Sequence, residues 1–332
     1  MQRIGVIGGG AWGTALAMTA RRAGRDVALW ARESEVVAAI NRVHENPLFL
    51  PGLALDPAIA ATIELGEAAR GADALLLAAP AQHLRAILAA LARHLPPAPA
   101  LVLCAKGIEE TTGALLSEVA AAAAPGARLA VLSGPTFAAE VARGLPTAVT
   151  LASADAALGQ ALIAALGTRS FRPYFSADMP GAEIGGAVKN VLAIACGIVV
   201  GRKLGDNARA ALITRGLAEM VRLALAKGGK PETLMGLSGL GDLVLTCGSL
   251  QSRNHSLGVA LGEGRALADI LAERRSVAEG VTSAAAAAAL ARHLGIDMPI
   301  TAAVDAILHK GAAIDEAIAG LLARPFKVEA VG

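Results

Sequence analysis

The stretch Arg3-Ile4-Gly5-Val6-Ile7-Gly8-Gly9-Gly10-Ala11-Trp12-Gly13 decides how this chain folds. A short apolar run ends in glycines and passes directly into residues 12–23, a helix-forming stretch closed by Gly24, so the glycines mark a tight strand-to-helix turn. Asp26–Trp30 reads as a second strand and residues 33–43 as a second helix, which makes the opening a βαβ unit. Further strands are expected at residues 60–64, 73–78, 99–104, 128–132 and 148–151, with helices around 81–94, 112–124 and 154–166 between them. Such alternation specifies an α/β fold with a mainly parallel, doubly wound sheet. After Pro180 the strand signals stop, and the remainder reads as helices broken by Gly and Pro at 228–231, 236–241, 262–264 and 295–299.

The length of 332 residues agrees with two domains of roughly 150 residues each. They are expected as a Rossmann-type α/β domain over residues 1–180 and an all-helical domain over 181–332. Thirty Lys plus Arg against 28 Asp plus Glu leave a net charge of +2, and the aromatics are two Trp, one Tyr and five Phe. Neither a strong basic field nor a base-stacking surface is available, so nucleic acid is not an expected partner. A mean hydropathy of +0.54 raises the question of a membrane. Residues 4–20 are uncharged but carry five glycines, which break the apolar region a signal needs, and the apolar uncharged run 191–201 is short of the roughly 18–20 residues of a span. Cys104, Cys196 and Cys247 are odd in number and lack metal-ligand spacing, so a cytoplasmic protein without stable membrane insertion and without a structural metal is expected.

Gly8, Gly10 and Gly13 form GxGxxG between a strand and a helix, where backbone N–H groups and the helix N-terminus can face a pyrophosphate. Trp12, inside that loop, reads either as a packing residue or as a cofactor contact. The residue that reads the adenosine ribose is expected about 20 positions past the glycines, and Arg32 stands there. A guanidinium suits a 2′-phosphate and hence NADP(H), whereas the adjacent Glu33 suits the ribose of NAD(H); a solvated charge pair is the plainer alternative.

Ligands of doubly wound sheets bind at the carboxyl ends of the strands, which draws attention to Lys106 after one strand and to Ser133-Gly134-Pro135-Thr136 after the next. Lys189 is the single charge between residues 184 and 201. It is either a snorkelling lysine or a proton carrier for reduction of a carbonyl. Asp242 lies in an apolar loop and could orient that lysine or cap a helix, and Ser252-Arg253-Asn254 offers an anion cradle where a helix begins, with ordinary capping by Ser252 as the alternative.

Taken in order, Gly8-Gly9-Gly10-Ala11-Trp12-Gly13-Thr14-Ala15-Leu16-Ala17, Ala105-Lys106-Gly107, Ser133-Gly134-Pro135-Thr136-Phe137-Ala138, Gly186-Ala187-Val188-Lys189-Asn190, Gly239-Leu240-Gly241-Asp242-Leu243 and Ser252-Arg253-Asn254 resemble the bacterial-type NAD(P)-dependent glycerol-3-phosphate dehydrogenases. The resemblance implies interconversion of dihydroxyacetone phosphate and sn-glycerol 3-phosphate with NAD(H) or NADP(H), supply of the phospholipid backbone, and a homodimer. It assigns proton transfer to Lys189, with Asp242 and Lys106 beside it as catalytic positions. It assigns substrate contact to Lys106, Gly134, Thr136, Lys189, Asn190, Asp242, Thr246, Ser252, Arg253 and Asn254. Gly8, Gly10, Ala11, Trp12, Gly13, Arg32, Lys106, Ala138, Arg253, Val277 and Glu279 are the implied cofactor positions. Many members carry a second basic residue next to the one matched by Arg32, and Glu33 departs from that pattern. Another hydroxyacid or opine dehydrogenase on this architecture would want a carboxylate site in place of the 252–254 cradle, and a non-catalytic dinucleotide sensor would have no use for Lys189.

Overall fold

The computed structural model describes residues 1–273 and 278–326. The chain divides into two compact units, Met1–Lys106 with Leu116–Met179, and Gly107–Leu115 with the chain from Pro180 onward.

The first unit is built on strands β1 (Arg3–Ile7), β2 (Asp26–Trp30), β5 (Ile59–Thr62), β6 (Ala74–Leu77), β7 (Ala100–Leu103), β8 (Arg128–Ser133), β9 (Thr147–Ala152) and β10 (Phe171–Ser176) in the spatial order β10-β9-β8-β7-β6-β1-β2-β5. A hairpin of β3 (Glu45–Asn46) and β4 (Leu50–Ala54) stands apart from the sheet. Strands β6 and β7, Ala-Leu-Leu-Leu and Ala-Leu-Val-Leu, are buried at every residue, as a parallel sheet covered on both faces requires. All pairings within the eight-stranded sheet are parallel except β8 with β9. The register aligns Ile7 with Trp30 and Leu77, and Leu77 with Leu103. The segments that follow β1, β2, β6 and β7 therefore emerge at one edge.

The second unit is organised around the helix Met179–Gly201, buried at every residue from Gly181 to Val199. It is long and apolar enough to cross a bilayer, yet 89% of its most apolar 18-residue window is packed inside the protein. The expectation of no long apolar span besides residues 4–20 considered residues 191–201 alone; the helix begins earlier and carries Glu183 and Lys189 within its buried length. Helix Arg253–Gly262 crosses it at an unusually close approach. A Cβ on Gly197 would lie 2.2 Å from His255 O, and one on Gly201 would lie 2.3 Å from Val259 O. From the other side, a Cβ on Gly258 would meet Ile194 O at 2.1 Å and one on Gly262 would meet Ile198 O at 2.7 Å. Helices bearing ordinary side chains pack 8–10 Å apart, and glycine on both faces of this crossing permits less.

Four sequence expectations need correction. Strand β10 was not expected: it is the sheet's edge, with Pro173 inside it and Tyr174 half-exposed, so it lacks the buried apolar run that marks a central strand. The β3–β4 hairpin was missed because its strands are short and its first is polar. The helix expected at 112–124 shrinks to Leu116–Ala123; the residues before it loop out, Ile108 pairs with Leu115, and both join the core of the helical unit. The glycine-rich 236–241 is no break but a π-helical turn, Leu237–Gly241, running straight into helix Asp242–Cys247.

Candidate active site

In the sheet unit each glycine of the first turn has its own reason to be there. Gly8 has φ +125°, and a Cβ on it would sit 2.6 Å from Ala79 N. A Cβ on Gly13 would lie 1.8 Å from Gly8 O, so this glycine lets the helix Ala11–Arg22 start against the strand end. Around Gly10 a Cβ would meet nothing within 4 Å. That open side is what a close-lying pyrophosphate needs, and the helix that starts at Ala11 has no side-chain cap at its N-terminus and no acid in its first turn. The loop thus fits the phosphates of a dinucleotide.

Trp12 donates its indole N–H to Cys104 O at 3.1 Å, locking the loop to the end of β7. Arg32 donates from Nη2 to Glu33 Oε1 at 2.9 Å, and its side chain is 75% exposed. Past the end of β7, Lys106 Nζ donates to Gly134 O at 2.9 Å and to Thr136 Oγ1 at 3.5 Å, and Thr136 Oγ1 donates to Gly134 O at 3.2 Å. Gly134, at φ +148°, has no room for a side chain, since a Cβ would lie 3.0 Å from Val149 Cα. Ala138 opens the short helix Ala138–Arg143 just beyond. Lys106 is thereby brought to Gly134 and Thr136, 28 and 30 residues further along the chain.

In the helical unit Lys189 Nζ donates to Asp242 Oδ1 at 2.6 Å and to Thr246 Oγ1 at 2.8 Å, while Thr246 Oγ1 lies 3.2 Å from the same carboxylate oxygen. Asp242 is fully buried and the Lys189 side chain is 8% exposed. Close backbone contact builds this triangle: a Cβ on Gly185, one turn before Lys189, would lie 2.3 Å from Ser238 O in the π-helical turn. Asp242 is the first residue of its helix, after the N-cap Gly241, and its carboxylate accepts from Lys189 Nζ, as the orienting reading of this residue requires. Beside the triangle, Cys247's thiol is pushed well up by its hydrogen bond to Cys196 and by burial. It stays a neutral thiol.

Ser252 caps helix Arg253–Gly262, accepting from His255 N–H at 3.2 Å, so the capping role is real. Asn254 Oδ1 accepts from Gly280 N–H at 3.0 Å, which fixes the start of the helix Glu279–His293. Arg253 between them is exposed, and Asn190 is buried next to Lys189. Burial, then Arg209, pull His255 below the ordinary histidine range, leaving a neutral imidazole. Val277 lies outside the described residues.

Sequence reasoning missed one buried polar side chain on the glycine loop, Asn46, whose amide reaches Gly9 and Thr14. Its signal was an asparagine just past a helix end, in His44-Glu45-Asn46-Pro47, which reads as an ordinary turn.

Models for the N-terminus and C-terminus of NAD-dependent glycerol-3-phosphate dehydrogenase match residues 3–159 and 178–319. The chain is 63% identical over 329 residues to glycerol-3-phosphate dehydrogenase (NAD(P)+) of Rhodospirillum rubrum, covering 99% of this chain and 94% of the relative. It is 61% identical to that of Parvibaculum lavamentivorans, covering 99% and 98%. Among solved structures, a glycerol-3-phosphate dehydrogenase from Coxiella burnetii matches with a TM-score of 0.94 and 41% identity, over 97% of this chain and 99% of that one. With the glycine loop open for phosphates and a buried lysine–carboxylate pair in the helical unit, these likenesses lead to one conclusion: the chain belongs to the NAD-dependent glycerol-3-phosphate dehydrogenase family.

Proposed function

We propose that this chain catalyses the reversible reduction of dihydroxyacetone phosphate to sn-glycerol 3-phosphate. The observation that supports the reading is the buried triangle of Lys189, Asp242 and Thr246, a lysine held by a carboxylate and a hydroxyl, of the kind that can give a proton to a developing alkoxide. Gly8, Gly10, Ala11 and Gly13 hold the dinucleotide's phosphates, and Trp12, Arg32, Lys106, Ala138, Arg253 and Glu279 line it. When bound, the nicotinamide supplies the hydride. Lys189 Nζ then delivers a proton to the carbonyl oxygen, and in the reverse direction takes it back. Asp242 stabilises the ammonium and aims it, with Thr246 as second acceptor. Asn190, Lys106, Gly134 and Thr136 contact the substrate, and Arg253 supplies the charge that pairs with the phosphate. Ser252 and Asn254 fix the helix starts on either side of that guanidinium, and the Ser252 hydroxyl, which accepts from His255 N–H, keeps its own proton to donate.

The phosphate contributes binding energy remote from the reacting carbon, which positions that carbon. The product is the backbone of glycerophospholipids, and a cytoplasmic homodimer is the form we assign to the enzyme. The test is to assay dihydroxyacetone phosphate and dihydroxyacetone with NADH and with NADPH. Reduction confined to the phosphorylated ketone is expected; equal rates on both, or reduction of 2-oxo acids instead, would overturn the assignment.

A further inference from the structure

Asn46 is fully buried although nothing about its sequence neighbourhood asks for it. It stands in β3, just after the helix Ser34–Val43 ends on the left-handed His44, and the hairpin carries it back over the glycine loop. Its Nδ2 donates to Gly9 O at 2.8 Å and to Thr14 Oγ1 at 2.9 Å, while its Oδ1 accepts from Phe49 N–H at 3.2 Å. Gly9 and Phe49 fix which end of the amide is nitrogen, because a reversed amide would set oxygen against the Gly9 carbonyl and N–H against N–H at Phe49.

The bond to Gly9 governs a neighbour. The carbonyl of Gly9 and the N–H of Gly10 belong to one planar trans peptide, so they point in opposite directions. Holding that carbonyl inward toward Asn46 aims the Gly10 N–H the opposite way, and Gly10 itself is uncrowded, since a Cβ on it would meet no atom within 4 Å. Glycines on both sides of the peptide leave it free to rotate unless something holds it. Gly9 itself is pressed against Ala31, where a Cβ would lie 2.3 Å from the alanine Cβ, so the loop is fixed on that side by contact and at its carbonyl by Asn46.

We propose that Asn46 is a positioning residue for the dinucleotide: it holds the Gly9–Gly10 peptide in the orientation that presents an N–H to the pyrophosphate. This rests on the nucleotide reading of the loop. Asn46 touches no part of the cofactor in this account, and its effect belongs to affinity for anything carrying the diphosphate.

Calorimetric titration of the whole protein with NADPH, NADH and ADP-ribose, each variant studied well below its own Tm, tests the idea. Asn46→Ala should raise all three Kd values about tenfold or more. Turnover at saturating cofactor and KM for dihydroxyacetone phosphate should stay within about twofold of wild type. Asn46→Asp should bind like wild type where its carboxyl keeps a proton to donate, and fall to the alanine level as pH rises from 5 to 9, a dependence absent from the other two proteins. Should Asn46→Ala not fold, the acid-to-base series of Asn46→Asp carries the test. Wild-type affinity in Asn46→Ala, a flat pH profile in Asn46→Asp, or an equal loss in substrate KM overturns the role of Asn46 alone. A wild type that binds none of the three ligands overturns the nucleotide reading and Asn46's role with it.

Discussion

Lys189 and Asp242, 53 residues apart in the chain, meet at 2.6 Å in a place water scarcely reaches. A pair so buried contributes little net stability while whole but is costly to break, since the survivor keeps its charge without a partner. Its two halves should therefore respond differently to mutation.

Lys189→Ala removes the proposed proton donor and should lower kcat by at least about a hundredfold with cofactor Kd near wild type. Asp242→Ala should in addition reduce stability by about 3–5 kcal/mol, as the lysine is left stranded. Steady-state kinetics beside urea unfolding separates the two. Near-normal turnover in a folded Lys189→Ala removes the lysine from the mechanism.

Arg253→Ala should mainly harm the phosphorylated substrate. Because Arg253 is exposed, its pairing with the phosphate should be worth about tenfold to a hundredfold rather than the larger discrimination of a buried charge. The ratio of kcat/KM for dihydroxyacetone phosphate over dihydroxyacetone should fall accordingly in the variant. If the ratio is unchanged, the phosphate is read elsewhere, first at Lys106 and Thr136.

Arg32 is exposed and shares its guanidinium with Glu33, so its contribution to NADPH affinity should be about tenfold, below that of a buried pair. Arg32→Ala should weaken NADPH and spare NADH, whereas Glu33→Gln, which releases the guanidinium, should favour NADPH. Equal weakening toward both cofactors in Arg32→Ala would remove the 2′-phosphate from its role.

His255 is buried, and its imidazole is held below the ordinary range, burial first and Arg209 second. Above about pH 6.5 the imidazole is neutral in the folded and unfolded chain alike. As pH falls below that value the unfolded chain takes the proton first, so stability declines on the acid side. The slope of unfolding free energy between pH 7 and 5 should flatten in His255→Gln. An identical slope in wild type and variant would mean that other groups set it.

The parts legible in the sequence are those where one local signal and one tertiary demand coincide. The glycines after β1 announce both a turn and a ligand, and Lys189 stands out because its helix has no other charge over many residues. The edge strand β10 was hidden by Pro173 and its half-exposed aromatics. Asn46 was hidden differently, for its meaning lies wholly in partners 32 and 37 residues away that only the folded hairpin brings near. The pairing of Ser252 and Asn254 with helix starts likewise follows from geometry, since either side chain could equally have faced a ligand.

The glycine crossing of helices Met179–Gly201 and Arg253–Gly262 sets a limit on how this enzyme can drift or be redesigned. At Gly197, Gly201, Gly258 and Gly262 even one added methyl would strike a main-chain carbonyl oxygen, which cannot rotate away as a side chain would. In a library of all single substitutions these four positions should empty out with the first added carbon, while exposed Arg253 on the same helix accepts replacement without loss of fold. The helix that carries Arg253 is thus a fixed mount, on which the guanidinium proposed to read the phosphate can be exchanged for another group without re-aiming the backbone beneath it.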